Sequence, residues 1–170
     1  DLIRAGFMPD PKRAVRVGDP DIRSVADEYM AKTGRPYQPF DGYAKVDENV
    51  AKRIADFYDQ AQSNPSDPTV QAAYRSLVDE TKAQYEQMVT DGYQIEPYTG
   101  TGEPYKNSAE AVADVRDNKH LYFLKTEGNF GGNENSSPGA NNPLLEPSGV
   151  EVDGVPLLNN DVFRAVHDFF

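Results

Sequence analysis

Apolar side chains recur at the 3.6-residue helical period in five stretches of this chain, and shorter stretches alternate with a period of two. The longest helical pattern runs over Pro68–Thr90, where apolar residues line one face for about six turns. Asp67 and Pro68 are typical of a helix start, and Asp91 with Gly92 is typical of a helix end. The pattern therefore predicts one long helix with well-defined ends.

The other four helical stretches are shorter, and cap-forming residues stand at their starts. They are predicted to begin at or near Pro20, Asp47, Ser108 and Asn159. The second of them carries its apolar face at Val50, Ile54, Phe57, Tyr58 and Ala61. Because only a short Pro-rich connection separates this helix from the long one, we expect the two to form an antiparallel hairpin.

Three segments have the composition of strands. Residues 93–98 alternate and contain Pro97, which indicates an edge or a strand end. Residues 120–125 are the best candidate for a central strand, and residues 150–157 predict a hairpin that turns at Asp153 and Gly154. The expected fold is α+β: a helical hairpin and additional helices packed on a small, mostly antiparallel sheet, with long Gly/Asn/Pro-rich loops.

The chain divides into a basic N-terminal arm, residues 1–18, and a single α+β domain, residues 19–170. Within the domain, residues 127–143 have almost no apolar side chain, and a loop of this length is either functional or mobile. The chain opens on Asp1 and ends at Phe170, where the apolar face of the last helix is still growing. We therefore expect it to be a fragment of a longer polypeptide, cut by a protease or by limits of order.

The charge is strongly acidic, with a net value of −11. The arm carries four basic residues against two aspartates, a local +2, so the remainder carries −13. A phosphate backbone would repel such a body, and direct nucleic-acid binding is therefore disfavoured. The basic residues of the arm either contact an acidic partner or form a solvated tail; they are Arg4, Lys12, Arg13 and Arg16.

The composition also excludes several kinds of chemistry. The chain has no cysteine, which rules out disulfides, thiolate catalysis and zinc–thiolate sites. No apolar run approaches the roughly 20 residues that a membrane span needs. The acidic residues are too numerous to single out an acid–base pair, so no catalytic residue is predicted.

Two histidines are the remaining candidates for chemistry. His120 begins a predicted strand, where we expect it to pack or to form hydrogen bonds. His167 is followed by Asp168 on the last helix, and such a pair can ligate a metal or let the carboxylate orient the imidazole. A further ligand would lie beyond Phe170. No cofactor is predicted; a divalent metal at this pair is the one alternative to a histidine that simply lies on a helix face.

Several segments together carry a family resemblance. They are residues 64–74 (Asn-Pro-Ser-Asp-Pro-Thr-Val-Gln-Ala-Ala-Tyr), 80–85 (Glu-Thr-Lys-Ala-Gln-Tyr), 92–93, 118–123 (Asn-Lys-His-Leu-Tyr-Phe) and 160–170 (Asn-Asp-Val-Phe-Arg-Ala-Val-His-Asp-Phe-Phe). Over about residues 19–170 the chain resembles a conserved region of large tailed-phage polyvalent or virion-associated proteins. In that family Gly-His follows the His-Asp segment, so only His167 and Asp168 can be carried over to this chain.

The resemblance implies a structural or internal virion protein, present in the virion or in the host cytoplasm after infection. Its partners would be other virion proteins or the remainder of its own polypeptide. The expected contact regions are the arm, the 127–143 loop and the last helix at Phe163, Phe169 and Phe170. Two alternatives stay open: a metal-dependent enzyme domain completed downstream of Phe170, and a host-directed effector co-injected with DNA.

Overall fold

A computed structural model describes residues 20–34, 47–62, 64, 66–126 and 142–170. The fold is α+β, as predicted. The elements in chain order are α1 (Pro20–Thr33), α2 (Glu48–Gln60), α3 (Pro68–Thr90), β1 (Gln94–Pro97), α4 (Ser108–Asn118), β2 (His120–Phe123), a 3-10 turn (Pro143–Leu145), β3 (Pro147–Val152), β4 (Val155–Leu158) and α5 (Asn159–Phe169). The basic arm, residues 1–18, and nearly all of the 127–143 loop lie outside the described residues.

Aspartate caps fix the starts of α2 and α3. The side chain of Asp47 accepts hydrogen bonds from the backbone N–H groups of Asn49 and Val50, at 2.9 and 3.1 Å. Asp67 caps α3 in the same way, and Pro68 occupies the first turn. These bonds satisfy N–H groups that have no partner inside the helix. The predicted helix starts at Asp47 and Asp67 are therefore confirmed.

The strands form two separate two-stranded sheets. β3 and β4 are antiparallel and turn through Asp153 and Gly154, both at positive φ, which confirms the predicted hairpin. β1 and β2 are parallel, with Gln94 opposite His120. The chain passes from β1 to β2 through α4, and this crossover lets the two strands run in the same direction. One of the two sheets is therefore parallel, whereas the sequence predicted a mostly antiparallel sheet. Among the described residues β2 pairs with β1 alone, so it is an edge strand rather than the predicted central strand.

The core lies between the two sheets and the helices α1, α3, α4 and α5. Its members are apolar residues that are almost completely buried, among them Val25, Met88, Ile95, Leu121, Phe123, Leu157, Val162 and Ala165. Phe169 belongs to this core: it is only 3% exposed, and its ring meets the ring of Tyr93 edge-on at 4.8 Å. The surface that covers Phe169 is therefore the core of the domain itself.

A buried carboxylate joins α5 to the segment that follows β2. Asp161 is fully buried, and its Oδ1 accepts hydrogen bonds from both the backbone N–H and the hydroxyl of Thr126, at 2.7 and 2.6 Å. Its Oδ2 accepts from the backbone N–H of Leu158 at 2.8 Å. Three donors thus compensate for the removal of this charge from water. This arrangement fixes the start of α5 against the chain segment at the end of the parallel sheet.

Helix α2 differs from the other helices in that it has no buried residue. It precedes α3 after a short connection, as predicted, but the predicted hairpin packing is not formed, because the apolar face of α2 does not lie against α3. A short connection permits two helices to pack side by side and does not oblige them to. The result is a helix whose apolar face is open.

Candidate functional site

The apolar face of α2 carries four of the nine large apolar side chains that are exposed among the described residues. Its side chains recur at helical spacing, so they project from one side of the helix. Their exposed fractions are 48% for Val50, 64% for Ile54, 73% for Phe57 and 81% for Tyr58. Large apolar side chains grouped on one face are typical of a surface that contacts another protein.

The 13 residues of α2 form a helix with limited support of their own. The Asp47 cap supports its first turn, and Lys52 forms an ion pair with Asp56 one turn on, at 2.9 Å. An exposed pair of this kind stabilises a helix by only about 0.3–0.5 kcal/mol. Because isolated helices of about 12–15 residues are marginal in water, α2 would be stabilised by any surface that covers its apolar face.

A second apolar surface is the α1/α3/α5 groove, an open cavity of about 460 Å³ between those three helices. Its lining is mainly apolar and comprises Ala26, Tyr29, Met30, Leu77, Glu80, Thr81, Gln84, Phe163, Val166, His167 and Phe170. The rings of Phe163 and His167 stack at 6.1 Å along one wall. Two of the predicted contact residues, Phe163 and Phe170, therefore lie at an accessible surface.

His167 and Asp168 face different grooves. Consecutive residues of a helix project about 100° apart, and His167 lines the α1/α3/α5 groove while Asp168 lines a second groove beside Tyr105 and Tyr122. Burial raises the pKa of Asp168, although the positive charges of Arg164 and His167 act to lower it. Within the described ranges no group of three or more His, Asp or Glu side chains is placed to hold a metal ion. The metal role of His167 and Asp168 stays a prediction.

A polar cluster surrounds the other histidine. His120 Nδ1 lies 2.6 Å from Asp114 Oδ2 on α4, and His120 Nε2 lies 3.8 Å from Glu96 Oε2 on β1. The hydroxyl of Tyr105 donates to the same Asp114 oxygen at 2.7 Å and accepts from the backbone N–H of Tyr122 at 2.7 Å. His120 thus forms a hydrogen bond with α4 at the start of a strand, as predicted, and its Nε2 faces a carboxylate of β1.

The chemistry of this cluster is that of a structural link. Burial raises the pKa of Asp114, but hydrogen bonds from Asn118, His120 and Tyr105 outweigh it and hold that pKa below its ordinary value. Burial is the main cause that raises the pKa of Tyr105, and the hydrogen bond to Asp114 raises it further. Both ring nitrogens of His120 face carboxylates, and each group in the cluster is engaged by its neighbours.

Comparisons with known proteins bring no relative. Neither a family model, nor a curated protein, nor a solved structure matches this chain. Across the described part of the chain no helix has the length and apolar character to cross a membrane. The candidate site consists of the α2 face and the α1/α3/α5 groove, which are both accessible and mainly apolar.

Sequence patterns identified the apolar residues of this site but did not show whether they are buried or exposed. The helical period located the apolar residues of α2, yet it gave no sign that they stay exposed. For the polar cluster, the sequence predicted that His120 packs or forms hydrogen bonds, but it did not identify the partners, because Glu96, Asp114 and His120 come together only when α4 crosses between β1 and β2. The sequence spacing of these three residues does not indicate that they lie together.

Proposed function

We propose that this chain is a contact domain of a tailed-phage virion-associated protein, and that it binds other virion proteins through the apolar face of α2. The observation that carries the proposal is the exposure of Ile54, Phe57 and Tyr58 on a capped helix. Full burial of one such side chain contributes about 1.5–3 kcal/mol. Three or four of them on one face supply enough apolar surface to anchor a partner.

The assignment to a virion rests on the family resemblance over residues 19–170. Two features of the chain agree with it. The acidic charge of −11 disfavours direct contact with packaged nucleic acid, so contacts with protein are favoured. The α2 face, in turn, offers a compact helical motif of the kind that enters a groove on another protein. The domain would act in the virion, or in the host cytoplasm after infection.

Site-specific photocrosslinking in assembled particles tests this proposal. A photoreactive amino acid at position 57 replaces Phe57 on the apolar face, and the matched control places it at position 52, where Lys52 lies on the opposite, polar face. We expect position 57 to yield covalent adducts with virion proteins and position 52 to yield few. The products are identified by mass spectrometry of the particles.

The result that would overturn the proposal is equally specific. Absence of the chain from purified particles would remove the virion assignment. Equal adduct yields from positions 57 and 52, with the chain present in particles, would show that the apolar face is not the contact surface.

A further inference from the structure

The ring of His120 lies between two carboxylates that belong to different elements. Its Nδ1 is 2.6 Å from Oδ2 of Asp114 on α4, and its Nε2 is 3.8 Å from Oε2 of Glu96 on β1. The side chains of His120, Asp114 and Glu96 are 14%, 19% and 34% exposed, so water screens their charges only in part. One imidazole therefore faces a carboxylate on each side, one from α4 and one from the parallel sheet.

The contact with Asp114 determines which ring nitrogen carries the proton of the neutral imidazole. Although burial acts to raise the pKa of Asp114, hydrogen bonds from Asn118, His120 and Tyr105 hold it below its ordinary value. The carboxylate is therefore ionised at neutral pH and can only accept hydrogen bonds. At a separation of 2.6 Å, Nδ1 must be the donor. In the neutral ring Nε2 is then an acceptor, and its lone pair faces the carboxylate of Glu96.

From this geometry we infer that His120 is a protonation-dependent tie between α4 and the parallel sheet. The neutral ring carries one proton and binds α4 alone, through Asp114. The charged ring carries a proton on each nitrogen, so it also forms an ion pair with Glu96 on β1. The uptake of one proton by this side chain therefore adds a second contact and strengthens the packing of α4 against the sheet.

The other neighbours of the ring are aromatic. Tyr122 on β2 meets the imidazole edge-on, with ring centroids 4.3 Å apart. Tyr105 donates its hydroxyl to the same Asp114 oxygen at 2.7 Å, and a phenol carries no charge below about pH 9. The amino group of Lys119 is held elsewhere, because it donates to the backbone carbonyl of Asp91 at 3.1 Å. Among the described neighbours, the charges that face the ring are therefore those of the two carboxylates.

The inference sets the sign of the pH effect. The second contact exists only while the ring is charged, so its stabilisation is lost as the pH rises through the titration of His120. Histidine ordinarily titrates near pH 6.5, and carboxylates ordinarily titrate near pH 4. Between about pH 5.5 and pH 8 the carboxylates stay ionised while the ring loses its proton, and the domain should become less stable over this range.

Urea unfolding of the 170-residue chain between pH 5.5 and pH 8, followed by circular dichroism, tests the inference. His120→Gln keeps a polar side chain but removes the titrating group. We expect the folding equilibrium constant of the parent to fall with rising pH by about three- to ten-fold more than that of His120→Gln. This magnitude is that of a hydrogen bond that changes from charged to neutral, together with a partly exposed ion pair.

The chain offers a matched control, because it contains 2 histidines. His167 lies on α5 and stacks on Phe163. His167→Gln removes the other imidazole and should keep the full fall in stability between the two pH values. Proton NMR of the parent follows both rings directly, and the His120 signal should titrate over the range in which stability falls.

Glu96→Gln separates the second contact from the first. The substitution keeps the size of the side chain and leaves the bond to Asp114 intact, but it removes the charge that faces Nε2. The fall in stability with rising pH should therefore become smaller. Stability at pH 8 should not decrease, because an amide can donate to the neutral ring. This variant and the NMR titration also test the inference if His120→Gln fails to fold.

Three results would overturn the inference. They are a parent whose stability falls no more than that of His120→Gln, a Glu96→Gln variant that keeps the full pH response, and a His167→Gln variant that loses it. The residues of this tie belong to α4, β1 and β2 rather than to α2, so its test is independent of the proposed function.

Discussion

The buried carboxylate of Asp161 should be essential for stability, and Asp161→Asn is the sharpest test of that role. The substitution keeps the size of the side chain but replaces one acceptor oxygen with an NH₂ donor. In the native protein both carboxylate oxygens accept: one from Thr126 twice, the other from the backbone N–H of Leu158. An amide can satisfy one side only, so either Thr126 or Leu158 loses its acceptor and meets a second donor.

The expected cost follows from these three hydrogen bonds. A hydrogen bond to a charged group contributes about 1.5–3 kcal/mol, and a buried donor left without an acceptor costs about 1–3 kcal/mol. Since Asp161 is fully buried, water cannot replace the lost acceptor. We expect a loss of about 3 kcal/mol from the free energy of unfolding. For a chain of this size that corresponds to a fall in Tm of about 6–12 °C.

Urea unfolding at pH 7, followed by circular dichroism, measures this loss as a shift in midpoint at constant slope. Asp168→Asn is the matched control, because it makes the same substitution two turns further along α5. Burial raises the pKa of Asp168, with opposing effects from Arg164 and His167, which means that the fold disfavours its charged form. Removing that charge should change stability by less than about 0.5 kcal/mol. The reasoning fails if Asp161→Asn is as stable as the parent, or if Asp168→Asn is the more damaging change.

Three further predictions concern the polar cluster, the core and the hairpin. The pKa of Asp114 is held below its ordinary value, so the ionised carboxylate stabilises the fold fully above about pH 4, and this stability is lost as pH falls through the lowered pKa. Asp114→Asn should therefore lower the free energy of unfolding at pH 7 and reduce the acid dependence of the unfolding midpoint. Phe169→Ala should remove about 3–5 kcal/mol in denaturant unfolding, because the ring is buried against Tyr93, whereas Phe170→Ala, at 53% exposure, should cost far less. Gly154→Ala, at φ +79°, should cost about 1 kcal/mol in the same assay.

The parts of the fold that the sequence predicted well are those with local causes. The Asp67 cap, Pro68 and the apolar row of α3 act within one segment, and so do Asp153 and Gly154 in the β3–β4 turn. The pairing of β1 with β2 has a different origin. It joins residues 26 positions apart, as in Gln94 and His120, and depends on the path of α4 between them. No periodicity in either strand reveals whether its partner runs parallel or antiparallel.

The last helix shows the same difference between local and long-range causes in two neighbouring residues. Phe169 and Phe170 are neighbours with the same side chain, and the sequence grouped them as contact residues. In the structure one packs against Tyr93 in the core, and the other borders the α1/α3/α5 groove. The turn of the helix separates them, and only the position of α3 and β1 decides which of the two directions is inside. Composition alone cannot make that distinction.

Helix α2 extends this argument to function. An amphipathic period shows that a helix has a face to cover, and the apolar residues of α2 were correctly located by it. The period carries no information about what covers that face, because an apolar groove on the same chain, on a second copy or on another protein presents the same chemistry to Ile54 and Phe57. In this fold the chain's own groove is open while α2 is exposed. The partner proposed for this face is therefore to be identified by measurements of association rather than by further sequence patterns.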